Sequence, residues 1–307
     1  MISRPPPGNR RGFRISERSS SLRPAMQNPT NLPDQAISSP GFLGGSPRRI
    51  MGMVMRNWFL IRQSWPRMLE LCYWPTVQLL VWGFMSQFLR GQTSLLAGAA
   101  GVLISAVLLW EVLVRTQIGM SITFLEELWS RNLGNLFVSP LRPWEWVVSL
   151  VVMGFIRVIL GVLPPSILAV IFFDISILDL GLPLAAFFAN LMMLGVAVGL
   201  LTSGMILRHG LGAESLCWMA VFVLAPFSAV YYPVSALPPA VQYVALALPS
   251  THVFEGMRAV LYQGTVEWRM LGLAVILNLF YLGLASLYFL RAFRNARQRG
   301  ALLQAGE

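Results

Sequence analysis

Apolar residues run through this chain in long blocks, set apart by short polar stretches. Blocks at 68–89, 97–118, 144–172, 182–207, 215–235 and 268–290 are each long enough for a helix to cross a membrane, whose hydrocarbon core of about 30 Å takes about 20 residues. The third block contains Pro164-Pro165, where a bend is predicted. The fourth contains Gly195 and Gly199, a spacing that lets a second helix approach closely. Ahead of the first block, residues 48–67 follow a different pattern. On a helix, Ile50, Val54, Trp58, Ile61 and Trp65 share an arc of about 80°, and Arg49, Arg56 and Arg67 lie opposite. This predicts a helix lying in the membrane interface, with its arginines toward anionic headgroups.

Residues 225–262 are as apolar as the blocks, yet they contain Pro226, Pro233, Pro238, Pro239 and Pro249. Each proline removes a backbone donor and crowds the preceding turn, so no straight helix runs through them all. Two pieces remain, 239–248 and 251–262, of about 15 and 18 Å, too short to span. The pattern predicts a re-entrant helical hairpin before the last span. The alternative is one piece flat on the surface and the other extending the final span.

Residues 1–47 are rich in Pro, Ser, Gly and Arg and carry no apolar period, so a disordered tail is expected there. A start placed too far upstream, with Met51, Met53 or Met55 as the true first residue, would account for it. The expected division is this tail, a membrane domain over 48–295, and a short cytoplasmic tail over 296–307. The fold class is an all-α membrane protein: an interfacial N-terminal helix, six transmembrane helices and the re-entrant hairpin.

Composition agrees and excludes some functions. Of 307 residues 56% are hydrophobic and 12% are charged, about half the charged share of a soluble domain. Every basic residue is arginine. A phosphate-binding loop needs a lysine after its glycine-rich turn, so this chain is not itself a P-loop ATPase. The net charge of +10 does not point to nucleic acid, because the arginines sit at the block edges and in the tails. Their excess before the first block, between the second and third, and after the last puts both termini in the cytoplasm. Cys72 and Cys217 lie in apolar segments and read as small core residues. His209 and His252 stand in separate segments and make no metal motif, and no nucleophile–base set is visible.

Some polar residues stand where lipid is expected. Glu111 and Arg115 are four apart, acid first, the favoured order for a helical ion pair. Arg157 lies mid-block, where a charge is costly; Glu111 or Glu70 reaches it, or it meets an anionic substrate.

Between the second and third blocks, Leu125, Leu128, Trp129, Asn132, Leu133 and Leu136 follow three- and four-residue spacing, with Glu126, Glu127 and Arg131 among them. A short amphipathic helix across the cytoplasmic face is predicted. This loop reads Glu126-Glu127, then Asn132-Leu133-Gly134-Asn135-Leu136, then Ser139-Pro140-Leu141. Together with Pro233-Val234-Ser235-Ala236-Leu237-Pro238, Leu248-Pro249-Ser250-Thr251 and Arg258, it resembles the permease subunits of ABC-2-type exporters over about 48–295.

The resemblance implies that Glu126, Glu127, Trp129, Arg131, Asn132, Leu133 and Leu136 couple the permease to an ATPase. It implies that Pro233, Leu237, Pro238, Pro249, Ser250 and Arg258 belong to a re-entrant element. It further implies a multi-pass protein of the bacterial plasma (inner) membrane that moves substrate outward by alternating access. Its partners would be an ABC ATPase subunit, a second permease copy and membrane lipid. No cofactor would be bound by this chain; ATP and Mg would act through the ATPase. Glu111 and Arg157 remain as intramembrane polar residues. The competing readings are an ATP-independent carrier or channel, and an intramembrane enzyme.

Overall fold

A computed structural model of the chain describes residues 46–91, 94–130, 132 and 141–298. Residues 1–45 of the tail expected over 1–47, Arg131, Leu133 and Leu136 of the coupling segment, and the end of the chain from 299 lie outside these residues; Ser46 and Pro47, expected in the tail, are helical. The described residues form helices and no strand. In chain order they are α1 (Ser46–Arg62), α2 (Trp65–Arg90), α3 (Ser94–Trp129), α4 (Pro143–Phe173), α5 (Pro183–His209), α6 (Ser215–Leu224), α7 (Pro239–Leu246), α8 (Pro249–Gln263) and α9 (Trp268–Gln298).

Proline sets several of these boundaries. Pro66, Pro143, Pro183, Pro239 and Pro249 stand in the first turn of α2, α4, α5, α7 and α8, where a missing N–H costs nothing. Pro164 and Pro165 fall inside α4, which runs on through both. Four helical stretches are long and apolar enough to cross a membrane: Gly101–Trp129, Pro143–Phe173, Pro183–His209 and Trp268–Gln298. α2, about 39 Å long, has the reach but carries Arg67, Glu70, Gln78 and Gln87 along it.

Two differences from the expected pattern have clear causes. The second block does not end at 118; α3 continues to Trp129, because after Gly119 nothing breaks the helix. The start of the coupling segment is therefore the end of a rod about 54 Å long. The fifth block is α-helical only from Ser215 to Leu224, then makes a 3-10 turn over Ala225–Phe227. Pro226 cannot continue the ladder, and Ala229 takes a left-handed φ of 51°.

α3 lies at the centre, packed against α2, α4 and α5, with α9 outside on α5. In its most apolar window 78% of α3 is buried, against 22% for α9. One core gathers around Trp110, Phe187, Phe254 and Leu271, and a second around Phe124, Trp146, Cys217 and Phe289. Trp110 lies about 26 Å along α3 from Glu127, so the two cores occupy opposite ends of the bundle.

The α3–α5 contact is close. A Cβ on Gly195 would fall 2.7 Å from Thr116 Cβ, and one on Gly199 would fall 2.9 Å from Met120 Cβ. These glycines do what their spacing predicts. Buried polar pairs join further helices: Ser121 Oγ meets Thr202 Oγ1 at 2.6 Å, Gln117 donates to Cys217 O at 3.1 Å, and Asn278 donates to Asn190 Oδ1 at 2.9 Å.

Candidate functional site

Three ion pairs fasten α1 and the start of α2 to the ends of α3 and α4. α1 is amphipathic as expected, burying Val54, Asn57 and Ile61. Two of its arginines, Arg49 and Arg56, however, face carboxylates. Glu145, in the first turn of α4, has no exposed surface; it accepts from Arg49 Nη2 at 2.7 Å, Ser46 Oγ at 2.6 Å and the Arg142 N–H at 2.9 Å. The carboxylate in turn raises the pKa of Arg49 above its ordinary value, through the hydrogen bond first. Glu127, 2% exposed, forms a two-point fork with Arg56, Nη1 to Oε1 and Nη2 to Oε2, the second at 3.1 Å. Asn132 Nδ2 donates to Glu127 Oε2 at 2.8 Å. Glu126 pairs with Arg67 at 3.0 Å. A buried carboxylate needs such partners, which is the physical reason these arginines turn inward.

Of the expected coupling residues, Leu128 joins Leu125 in the second core at 3% exposure, whereas Trp129 is 50% exposed. The end of α3 therefore presents Trp129 outward and keeps Glu127 for internal use.

The opposite end holds the broken stretch. Between α6 and α7 the backbone makes only short 3-10 turns, which leaves carbonyls without helical partners. Arg258 of α8 fills this gap. Its Nη2 donates to the carbonyls of Ala229, Val230 and Tyr232, the last two at 3.1 and 3.0 Å. Its Nη1 donates to Glu255 at 3.1 Å, and Glu255 accepts from the Val234 N–H at 2.8 Å. Ser250 donates to Ser228 at 2.9 Å, and Thr251 to Phe227 O at 3.2 Å. The structure thus brings Arg258, Pro249 and Ser250 together around the loop that ends at Pro233. Leu237 contributes its carbonyl to Gln242 at 2.8 Å, and Pro238 precedes α7. Glu255 and Ser228 were not singled out from the sequence; their partners lie 21 and 22 residues away.

Glu111 and Arg115 form the predicted pair, 3.0 Å apart and both buried. Arg157 meets neither Glu111 nor Glu70; its Nη1 donates to Gly119 O at 2.7 Å. No group of His, Cys, Asp and Glu that could hold a metal occurs among the described residues.

An all-helical bundle with four membrane-length apolar helices defines the chain as an integral, multi-pass membrane protein. The ABC-2 type transporter family profile matches residues 49–262, from α1 through nearly all of α8, and the chain belongs to that family. An ABC-2 membrane domain is a transport component, generally not catalytic, and normally works with an ABC ATPase. No curated protein matches the chain.

Proposed function

We propose that this chain is the transmembrane half of an ATP-driven exporter of the bacterial inner membrane. Two copies enclose a path and move substrate outward by alternating access. A separate ABC ATPase binds ATP and Mg and docks on the cytoplasmic end of α3. The observation that carries this reading is the family match across 49–262. It covers the end of α3, where Trp129 stands exposed beside a buried, internally paired Glu127. An exposed aromatic at the tip of a rigid helix suits an anchor in a partner's pocket. Arg131, Leu133 and Leu136 complete the docking segment in this reading.

Six crossings follow if α2 and the segment from α6 to Tyr231 join the four long helices. α7 and α8 then form the re-entrant element, and both termini are cytoplasmic. Arginine bias supports this orientation. In a chain with Cys72 and Cys217 replaced by Ala, Asp179→Cys should react with an impermeant thiol reagent from outside and Arg297→Cys should not. Labelling of Arg297→Cys from outside ends the six-crossing reading.

Docking is tested by Trp129→Ala. The permease should fold and insert normally, while ATPase capture per folded permease falls by about 2 kcal/mol of binding energy, the scale of an interface anchor. Unchanged capture removes Trp129 from the docking surface. Glu127→Arg serves as the contrast. It breaks an internal fork, so it should lower permease stability before it touches docking.

A further inference from the structure

A cavity of about 100 Å³ lies where the α1–α2 junction, α3 and α4 meet. Arg67, Glu70, Arg115, Gly119, Glu126 and Arg157 line it. The volume is several times the roughly 30 Å³ that one water takes in the liquid. Two of its three arginines are already matched: Arg115 holds Glu111 at 3.0 Å, and Arg67 holds Glu126 at 3.0 Å. Arg157 is different. It is 7% exposed, and among the described residues its Nε has no hydrogen-bond partner and its one hydrogen bond goes to the Gly119 carbonyl. Among the described residues no carboxylate forms an ion pair with it. Gly119 gives the guanidinium its seat, since a Cβ there would stand 3.1 Å from Arg157 Cδ.

A buried guanidinium hydrogen-bonded, among the described residues, to a carbonyl dipole alone is costly, the more so at the depth of a membrane span, and Glu126 on the cavity wall offsets that cost only at a distance and while itself paired with Arg67. Its planar fork of donors fits an oxyanion by two points, while Arg115 on the same wall stays held by Glu111. We infer that this cavity binds a phosphate-type oxyanion, either free or as the headgroup of a phospholipid, with Arg157 as its principal ligand. Glu70, exposed and, among the described residues, without an ion pair, lines the same cavity and opposes an anion there. The site lies within one chain and does not depend on an ATPase or on transport.

The test uses the full chain, delipidated in a phosphate-free maltoside detergent. Thermal unfolding is followed while inorganic phosphate, or short-chain phosphatidylglycerol, is titrated in. A saturable rise in unfolding temperature with phosphate supports a free oxyanion, and one with the lipid alone supports a headgroup. Arg157→Gln should weaken the response by about tenfold or more, the worth of a charge-assisted hydrogen bond. Glu70→Gln should strengthen it a few-fold and keeps the test decisive if Arg157→Gln does not fold. No rise with either ligand overturns the inference. So does an Arg157→Gln chain that responds like the parent, or a Glu70→Gln chain that responds more weakly.

Discussion

Three arginines hold one end of this bundle and Arg258 holds the other, and they solve different problems. At the α1 end, Arg49, Arg56 and Arg67 bind carboxylates that stand on continuous helices. The backbone there runs in unbroken helices, with Glu145 capping the Arg142 N–H, and the arginines join one helix to another. At the α8 end, Arg258 binds the carbonyls of Ala229, Val230 and Tyr232, where the helix has stopped. It replaces hydrogen bonds that a helix would have made internally. Irregular backbone inside a membrane protein is tolerated only where something supplies those bonds. Side-chain pairs between intact helices are therefore adjustable, whereas a guanidinium that stands in for missing helix turns is not.

The sharpest way to break this comparison is Arg258→Met. It leaves three carbonyls and Glu255 without their donor, and loss of one partner from a buried charged set costs about 3–5 kcal/mol. The unfolding temperature of the chain in detergent should fall steeply. Arg258→Lys should recover only part of the loss, because an ammonium is a point charge and cannot span three carbonyls with one fork. A full recovery by lysine would show that charge alone, not the fork, holds the loop. A smaller effect is expected from Glu145→Gln at the other end. The amide keeps one acceptor for Ser46 or the Arg142 N–H and loses the charge opposite Arg49, a change worth about 1.5–3 kcal/mol. Equal losses in the two variants, measured in the same detergent, would erase the distinction between the two ends. A chain beginning at Met51 bears on the same point, since it removes both Ser46 and Arg49 and leaves Glu145 with the Arg142 N–H alone.

Much of the fold was legible in the sequence, and the limits were set by separation along the chain. Four of the six apolar blocks became helices long and apolar enough to cross a membrane; the block at 68–89 carries too many polar residues for that, and the block at 215–235 stops being α-helical at Leu224. Glu111 and Arg115 were readable as a pair because they lie one turn apart. Gly195 and Gly199 were readable because their spacing places both on one helix face. The partners of Arg49 and Arg56 were not readable, since Glu145 and Glu127 lie 96 and 71 residues away. An amphipathic arginine-rich helix predicts a headgroup as readily as a carboxylate on a distant helix. The end of the second block was placed too early, because a change from apolar to amphipathic composition looks like a loop even where the helix continues. The early stop of the fifth block was visible in Pro226, but its apolar sequence hid it. For the candidate site, the prolines and Arg258 stood out, while Glu255 and Ser228 needed the three-dimensional path of the loop.

The two glycines of α5 bear on how this protein can move. They stand one turn apart against Thr116 and Met120, also one turn apart on α3, like teeth cut to a single pitch. A slide of one residue would bring Val196 and Leu200 against those side chains and force the axes apart. The fit resists a slide of α3 past α5. If the proposed alternating access holds, the movement has to keep this register and open elsewhere in the bundle.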